Sequence, residues 1–208
     1  MATIKNIIFD LGGVIMNINF KYTEEAFAKL GFTDFSQYIT QHHITPLFET
    51  YETGKIDDAA FIKGIQEIAG TPIKADEITD AWNALLLDFP PERIDLLKRI
   101  KNQYRIFLLS NTNALHHAAF QKKFFLLTGG YLEDIFDKTY YSQTAKMRKP
   151  DAEIYQLVID ENKLIPSETL FIDDTASNFS GAEQTGLQVF HLKKPMTIVE
   201  MPIFLTGG

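Results

Sequence analysis

Residues able to do polar chemistry recur in this chain at the ends of apolar runs. In "NIIFDLGGVI" (6–15) a lone acid, Asp10, closes a hydrophobic run and is followed by Leu11 and the glycines Gly12 and Gly13. "FLLSNTN" (107–113) ends its run on Ser110 and Asn111, "MRKPDAEIY" (147–155) carries Lys149, and "LFIDDTASN" (170–178) ends its run on Asp173 and Asp174. Asp10 and one acid of the Asp173–Asp174 pair can share a hard cation such as Mg²⁺, which takes oxygen ligands and leaves positions for water and a phosphate. Such a cation also lets several carboxylates sit beside a phosphate dianion. Ser110, with its hydroxyl and the N–H groups that follow it, can hold phosphate oxygens at a helix start. Lys149 supplies positive charge opposite the metal, stabilising Asp10 as an anion and the charge on a phosphoryl group in transfer. An Asp oxygen can then attack phosphorus and form an aspartyl-phosphate that water hydrolyses. With side chains cleared beside Asp10, the carbonyl of residue 12 can turn toward the metal and a phosphate can come close.

Taken singly, each residue has a plainer reading. Asp10 could form a turn, Ser110 could cap a helix, Lys149 could be a solvated charge, and Asp173 with Asp174 could open a helix. A like-charged pair is costly without a cation nearby, and it is the coincidence of all these groups at run ends that favours chemistry.

The elements that must bring them together are legible as short apolar runs. "IKNIIFD" (4–10), "YRIFLLS" (104–110), "ETLFID" (168–173) and "LQVFHL" (187–192) read as strands, with a weaker fifth at "KTYYS" (138–142). Their near-continuous apolarity suits a parallel sheet covered on both faces. Helical patterns separate them. One starts at Pro91 with Ile94, Leu97 and Ile100 on one side, and another follows Asp151 with Ile154, Leu157, Val158 and Leu164 and ends before Pro166. The expected fold is an α/β, doubly wound Rossmann-like parallel sheet, whose ligands bind at the carboxyl ends of the strands.

Between Asn17 and Asp88 the character changes, with no buried-strand run and with amphipathic helices in "IDDAAFIKGIQEIAG" (56–70) and "KADEITDAWNALLLD" (74–88). That is more chain than one crossover uses, since a whole βαβ unit takes only about thirty residues. Residues 17–88 are therefore expected to form an inserted helical subdomain overhanging the strand ends, with 1–16 and 89–208 as the core.

Composition narrows the class. The 208 residues carry 20 Lys and Arg against 27 Asp and Glu, a net charge of −7 that argues against nucleic acid or an anionic membrane as the partner. With no cysteine, a thiolate metal site, a disulfide scaffold and a cysteine nucleophile are all excluded. No stretch approaches the ~20 apolar residues of a membrane span, and the first residues lack a signal-peptide core, so a cytoplasmic location is expected.

The four quoted motifs, in this order and spacing, resemble those of the haloacid dehalogenase superfamily, and the helical insertion after the first resembles its cap. Within it, "FDLG", "LSNTN" and "MRKP" are most similar to bacterial phosphatases acting on α-D-glucose 1-phosphate. The resemblance implies a Mg²⁺-dependent phosphatase for a small phosphorylated metabolite. It implies Asp10 as nucleophile and metal ligand, the Gly12 carbonyl as a second ligand, and Asp174 as a third with Asp173 behind it. Ser110, Asn111 and Lys149 are implied on the phosphate.

One position departs from the pattern. Most phosphatases of the superfamily have a second acid two residues after the nucleophile, and here that residue is Gly12. A general acid or base is typically worth ~10²–10⁴ in rate, so its loss matters. Three readings stay open: a sugar leaving through its anomeric oxygen needs less protonation; a cap residue among Glu49, Glu52, His42 and His43 serves instead; or the protein is a weak enzyme that mainly binds phosphate. Dehalogenation of a 2-haloacid is a further alternative, disfavoured by the retained acid pair. Trp82, Phe48 and Tyr51 are expected in the cap interior, Asn178 as a hydrogen bonder steadying the last motif, and His116 and His117 on a helix surface.

Overall fold

The computed structural model describes residues 3–40 and 43–205, the side chains of 39, 40, 43 and 44 excepted. In chain order, strand β1 (Asn6–Phe9) is followed by α1 (Phe20–Lys29), the two-residue strands β2 (Ile39–Thr40) and β3 (His43–Ile44), α2 (Pro46–Glu52), α3 (Asp58–Ala69) and α4 (Ala75–Asn83). There follow α5 (Pro91–Ile100), β4 (Arg105–Ser110), α6 (Ala114–Thr128), β5 (Lys138–Tyr141), α7 (Ser142–Ala145) and α8 (Ala152–Asn162). The chain continues through β6 (Thr169–Asp173), α9 (Phe179–Gln184), β7 (Gln188–His191) and a last turn of helix, α10 (Pro202–Leu205).

The main sheet has the order β5-β4-β1-β6-β7, and every pairing in it is parallel. β1 is central because it is buried on both sides: Ile7, Ile8 and Phe9 have no exposed surface. Alternation along the strand sends Ile7 and Phe9 to one apolar layer, with Leu97 of α5 and Phe120 of α6, and Ile8 to the other, with Ile154 of α8. From β1 the chain builds outward through β4 and β5, then crosses to the other side of β1 for β6 and β7. The strand order thus reverses beside β1, and a crevice opens there at the carboxyl ends of β1 and β6.

Local sequence accounts for several boundaries. Pro91 occupies the first turn of α5, where its missing N–H costs nothing. Asp57 caps α3 by accepting from Ala60 N at 2.8 Å. Asp151 stands at the N-cap of α8 as expected but makes no side-chain cap bond. β5 stops at Tyr141, one residue short of its apolar run, because Ser142 opens α7.

The helical excursion has its own interior. Phe27, Phe35, Phe48, Phe61, Ile65 and Trp82 belong to one cluster, with Phe27 stacked on Phe35 at 4.2 Å and Tyr51 on Phe61 at 4.1 Å. Trp82, Phe48 and Tyr51 are buried there, as the sequence suggested. The antiparallel ribbon of β2 and β3 was not legible, since two-residue strands are too short to carry an alternation. Where the excursion leaves and rejoins the sheet its two ends pair: Asn17 N donates to Asp88 O and Leu87 N to Asn17 O, and Ile18 faces Leu86 in an antiparallel bridge. No described helix is long and apolar enough to cross a membrane.

Candidate active site

Asp10 sits where β1 runs out, and its N–H still donates to Ile172 O of β6 at 2.9 Å, which ties it to the edge of the sheet. From the opposite side of the crevice, Asp173 ends β6 and Asp174 follows it. Oxygens of Asp10, Asp173 and Asp174 all lie within 4.8 Å of one another. Lys149 reaches in between with its Nζ 2.7 Å from Asp10 Oδ1 and 2.6 Å from Asp173 Oδ2, and only 1% of the residue is exposed. Asp173 is fully buried and saturated: Oδ1 accepts from Thr175 N at 2.7 Å, and Oδ2 also accepts from Asn178 Nδ2 at 2.9 Å. Asp174, by contrast, lines the open cavity together with Asp10. Asn178 thus steadies this loop through Asp173, the part expected of it.

Ser110 ends β4 and is buried at the cavity floor. Asn111 lines the same cavity, but its amide is spent on the backbone of Lys149, with Nδ2 donating to Lys149 O and Oδ1 accepting from Lys149 N, both at 2.9 Å. The two loops are therefore clamped together, which fixes where the Lys149 stem begins.

The glycines divide their work. A Cβ on Gly13, whose φ is +76°, would lie 2.2 Å from Asp174 Oδ2, so the absence of a side chain there admits the Asp174 carboxylate. On Gly12 a Cβ would come 3.0 Å from Ile18 Cδ1, so the wall above that residue is hydrocarbon.

Three carboxylates face one ammonium here. Burial raises the Asp10 pKa to about 7; Lys149 pulls it down, while Asp173 and Asp174 push it further up. Asp174 is raised as well, by burial and then by Asp173. Burial alone would depress the Lys149 pKa, but Asp10 and Asp173 outweigh it and hold the ammonium charged. A cluster of hard oxygen donors with this surplus of negative charge fits a divalent cation, and Asp10 and Asp174 are the two acids of the cluster that line the cavity.

The cavity encloses about 350 Å³. Its polar end is formed by Asp10, Ser110, Lys149 and Asp174, and its other walls include Ile18, Phe20, Phe48, Trp82 and Leu86. Glu52, at the end of α2, enters it and bonds Arg148, Oε2 to Nε, at 2.7 Å. Glu49 is not among the lining residues. His42 lies outside the described residues, as does the side chain of His43.

His116 and His117 are not on an open helix surface. His116 is buried and stacks on Trp82 at 4.5 Å, and His117 is half-buried, edge-on to Tyr141 at 4.7 Å. The reason is that α6 carries apolar residues all round, from buried Phe120 and Phe124 to Leu126 at 75% exposure, so its sequence offers no single inward face, and α4 docks against it. Sequence reasoning also missed Arg148 and Ser142. Arg148 had one available signal, its place beside Lys149 in "MRKP"; Ser142 had none, since its role arises when α2 closes over it.

The same arrangement recurs in known proteins. A family model described as haloacid dehalogenase-like hydrolase matches residues 4–186. A D-ribitol-5-phosphate phosphatase from Bacteroides thetaiotaomicron is 34% identical over 187 residues, 90% of this chain and 91% of that one. Among solved structures, a haloacid dehalogenase family enzyme from the same species, in complex with magnesium and inorganic phosphate, is 35% identical with a TM-score of 0.85 over 94% of this chain and 97% of that one. A structure described as a predicted hydrolase of the family from Porphyromonas gingivalis is 29% identical, with a TM-score of 0.88 and full coverage of both chains. The chain belongs to the haloacid dehalogenase-like hydrolases.

Proposed function

We propose that this hydrolase is a Mg²⁺-dependent phosphomonoesterase acting on a small phosphorylated metabolite through an aspartyl-phosphate on Asp10. The observation that carries the reading is the position of Lys149, whose one ammonium is bonded to both Asp10 and Asp173 while Asp174 faces the same crevice. Asp10, the Gly12 carbonyl and Asp174 would hold Mg²⁺, with Asp173 fixing Lys149 and the loop behind them. When bound, the cation supplies charge neutralisation for the phosphoryl group and the carboxylates around it. Asp10 attacks phosphorus and Lys149 stabilises the equatorial charge. Ser110 and the N–H of Asn111 hold phosphate oxygens, and the Asn111 side chain acts through Lys149.

Residues 17–88 are read as the cap that closes the cavity over a core of 1–16 and 89–208. A cavity of about 350 Å³ suits a substrate the size of a sugar phosphate. α-D-Glucose 1-phosphate and D-ribitol 5-phosphate are the first compounds to offer it, the former because its anomeric leaving group asks least of the missing acid, the latter because the relative from Bacteroides thetaiotaomicron is named for it. A chain without cysteine suits the cytoplasm.

The test is phosphate release from these compounds and from 4-nitrophenyl phosphate, with and without Mg²⁺, in the wild type and in Asp10→Asn. Turnover should require Mg²⁺ and vanish in the variant. Undiminished turnover in Asp10→Asn would exclude the covalent route.

A further inference from the structure

Hydrolysis of an ordinary phosphomonoester needs a proton for the leaving oxygen and then a base for the attacking water. Two residues after Asp10 there is no side chain to provide either, and Ile18 covers that wall. The other proton carriers of the cavity are committed. His116 uses both ring nitrogens. Trp82 O can only accept, so Nε2 donates to it at 3.1 Å, and Nδ1 accepts from Asn113 Nδ2 at 3.0 Å. Lys149 is held between two carboxylates, and Arg148 does not give up its proton. Among the described residues lining the cavity, Glu52 is the carboxyl that remains.

Glu52 is also built into place. Its main-chain oxygen accepts from Ser142 Oγ at 2.7 Å, and the same Oγ accepts from Thr112 N at 2.9 Å, two residues after Ser110. Its Oε2 accepts from Arg148 Nε, next to Lys149. The carboxyl is thus fixed against the two loops that carry Ser110 and Lys149, while Oε1 accepts no hydrogen bond among the described residues. Burial raises its pKa above the ordinary carboxyl value, against the pull of Arg148.

From this geometry we propose that Glu52 is the proton donor and acceptor that stands in for the acid absent at Gly12. The inference rests on the phosphatase reading. As Asp10 oxygen bonds to phosphorus and the bond from phosphorus to the leaving oxygen breaks, the protonated Glu52 carboxyl gives its proton to that oxygen. The resulting carboxylate then takes a proton from water as the water oxygen bonds to phosphorus and the bond from phosphorus to Asp10 breaks. Phosphate leaves with Asp10 ionised and Glu52 protonated again.

The experiment compares the wild type, Glu52→Gln and Glu52→Ala in Mg²⁺ on an alkyl phosphate, D-ribitol 5-phosphate, and on 4-nitrophenyl phosphate, whose leaving group needs no proton. In Glu52→Gln, kcat on the alkyl ester should fall ~10²–10⁴-fold with KM little changed. On the nitrophenyl ester the variant should release one equivalent of nitrophenolate in a burst and then stall, because the second step still lacks its base. Added formate should restore part of kcat to Glu52→Ala. Thermal midpoints accompany each assay, and if glutamine at 52 prevents folding, Glu52→Asp, whose carboxyl falls short of the glutamate's reach, should show the same nitrophenolate burst and a smaller fall in kcat on the alkyl ester. A raised KM at unchanged kcat, or equal losses on both esters with no burst and no formate rescue, overturns the proposal. A wild type that hydrolyses neither ester overturns the phosphatase reading itself, and the inference with it.

Discussion

Asp174 occupies space that any side chain on Gly13 would need: a Cβ there would stand 2.2 Å from Asp174 Oδ2. Gly13→Ala must therefore move the carboxylate and also hold an alanine at φ near +76°. Strain of this kind costs about 1–3 kcal/mol. We expect lower stability in urea and a Mg²⁺ affinity weakened at least about tenfold, as for groups that orient metal ligands. Gly12→Ala, which meets only the tip of Ile18, should be milder on both counts. Calorimetric Mg²⁺ titration of the two variants checks the contrast.

Replacing Lys149 by Met leaves Asp10 and Asp173 buried without their shared cation. Breaking a buried ion pair from one side costs about 3–5 kcal/mol, so the Mg²⁺-free variant should unfold at a much lower denaturant concentration than the Mg²⁺-free wild type. Asp10, already raised by burial, then loses the lowering pull of Lys149 and favours protonation more in the folded than in the unfolded chain. The deficit should accordingly narrow as pH falls. Lys149→Arg should not restore activity, because a planar guanidinium cannot occupy the single point that Nζ shares between the two acids.

Ser142→Ala removes a fully buried hydroxyl that joins Glu52 O to Thr112. Leaving a buried backbone N–H and a carbonyl without their partner costs about 1–3 kcal/mol. The variant should melt earlier than the wild type, and KM should rise with the loosened contact between α2 and the Ser110 loop. A melting curve and a KM determination are sufficient.

His116 predicts a pH effect on stability. Burial depresses its pKa from 6.5 to about 4, with the bond to Trp82 O opposing. The unfolded chain therefore binds a proton that the folded chain refuses between those values. The contribution is complete above pH 6.5 and is lost progressively as pH falls toward 4, by up to about 3 kcal/mol in all. In His116→Gln the stability difference between pH 7 and pH 5 should be smaller than in the wild type, as measured by urea unfolding at the two values.

The sheet was legible in the sequence because its strands are buried on both sides and so appear as unbroken apolar runs, of which Ile7 to Phe9 is the plainest. The same property located Asp10, Ser110 and Asp173, each conspicuous as the first polar residue after such a run, and Asp174 beside the last of them. Lys149 follows no strand directly, and its bonds to Asp10 and Asp173 required the fold. Glu52, Arg148, Ser142 and His116 acquire their surroundings only where the helical excursion meets the core, contacts made across dozens of residues that leave no periodic trace. Gly13 was read as clearance for phosphate, whereas the structure gives that space to Asp174.

The bridge between Ile18 and Leu86 makes the sheet end a socket. A segment whose two ends meet side by side can be exchanged for another of quite different length without shifting the register of β1, because the splice lies outside the ladder. Ile18 is at once one pin of that socket and the hydrocarbon lid over Gly12. Whatever is plugged in is thereby seated at the cavity that Asp10 lines, so that on the phosphatase reading a change of the inserted piece would rewrite which esters reach that carboxylate while leaving the carboxylate alone.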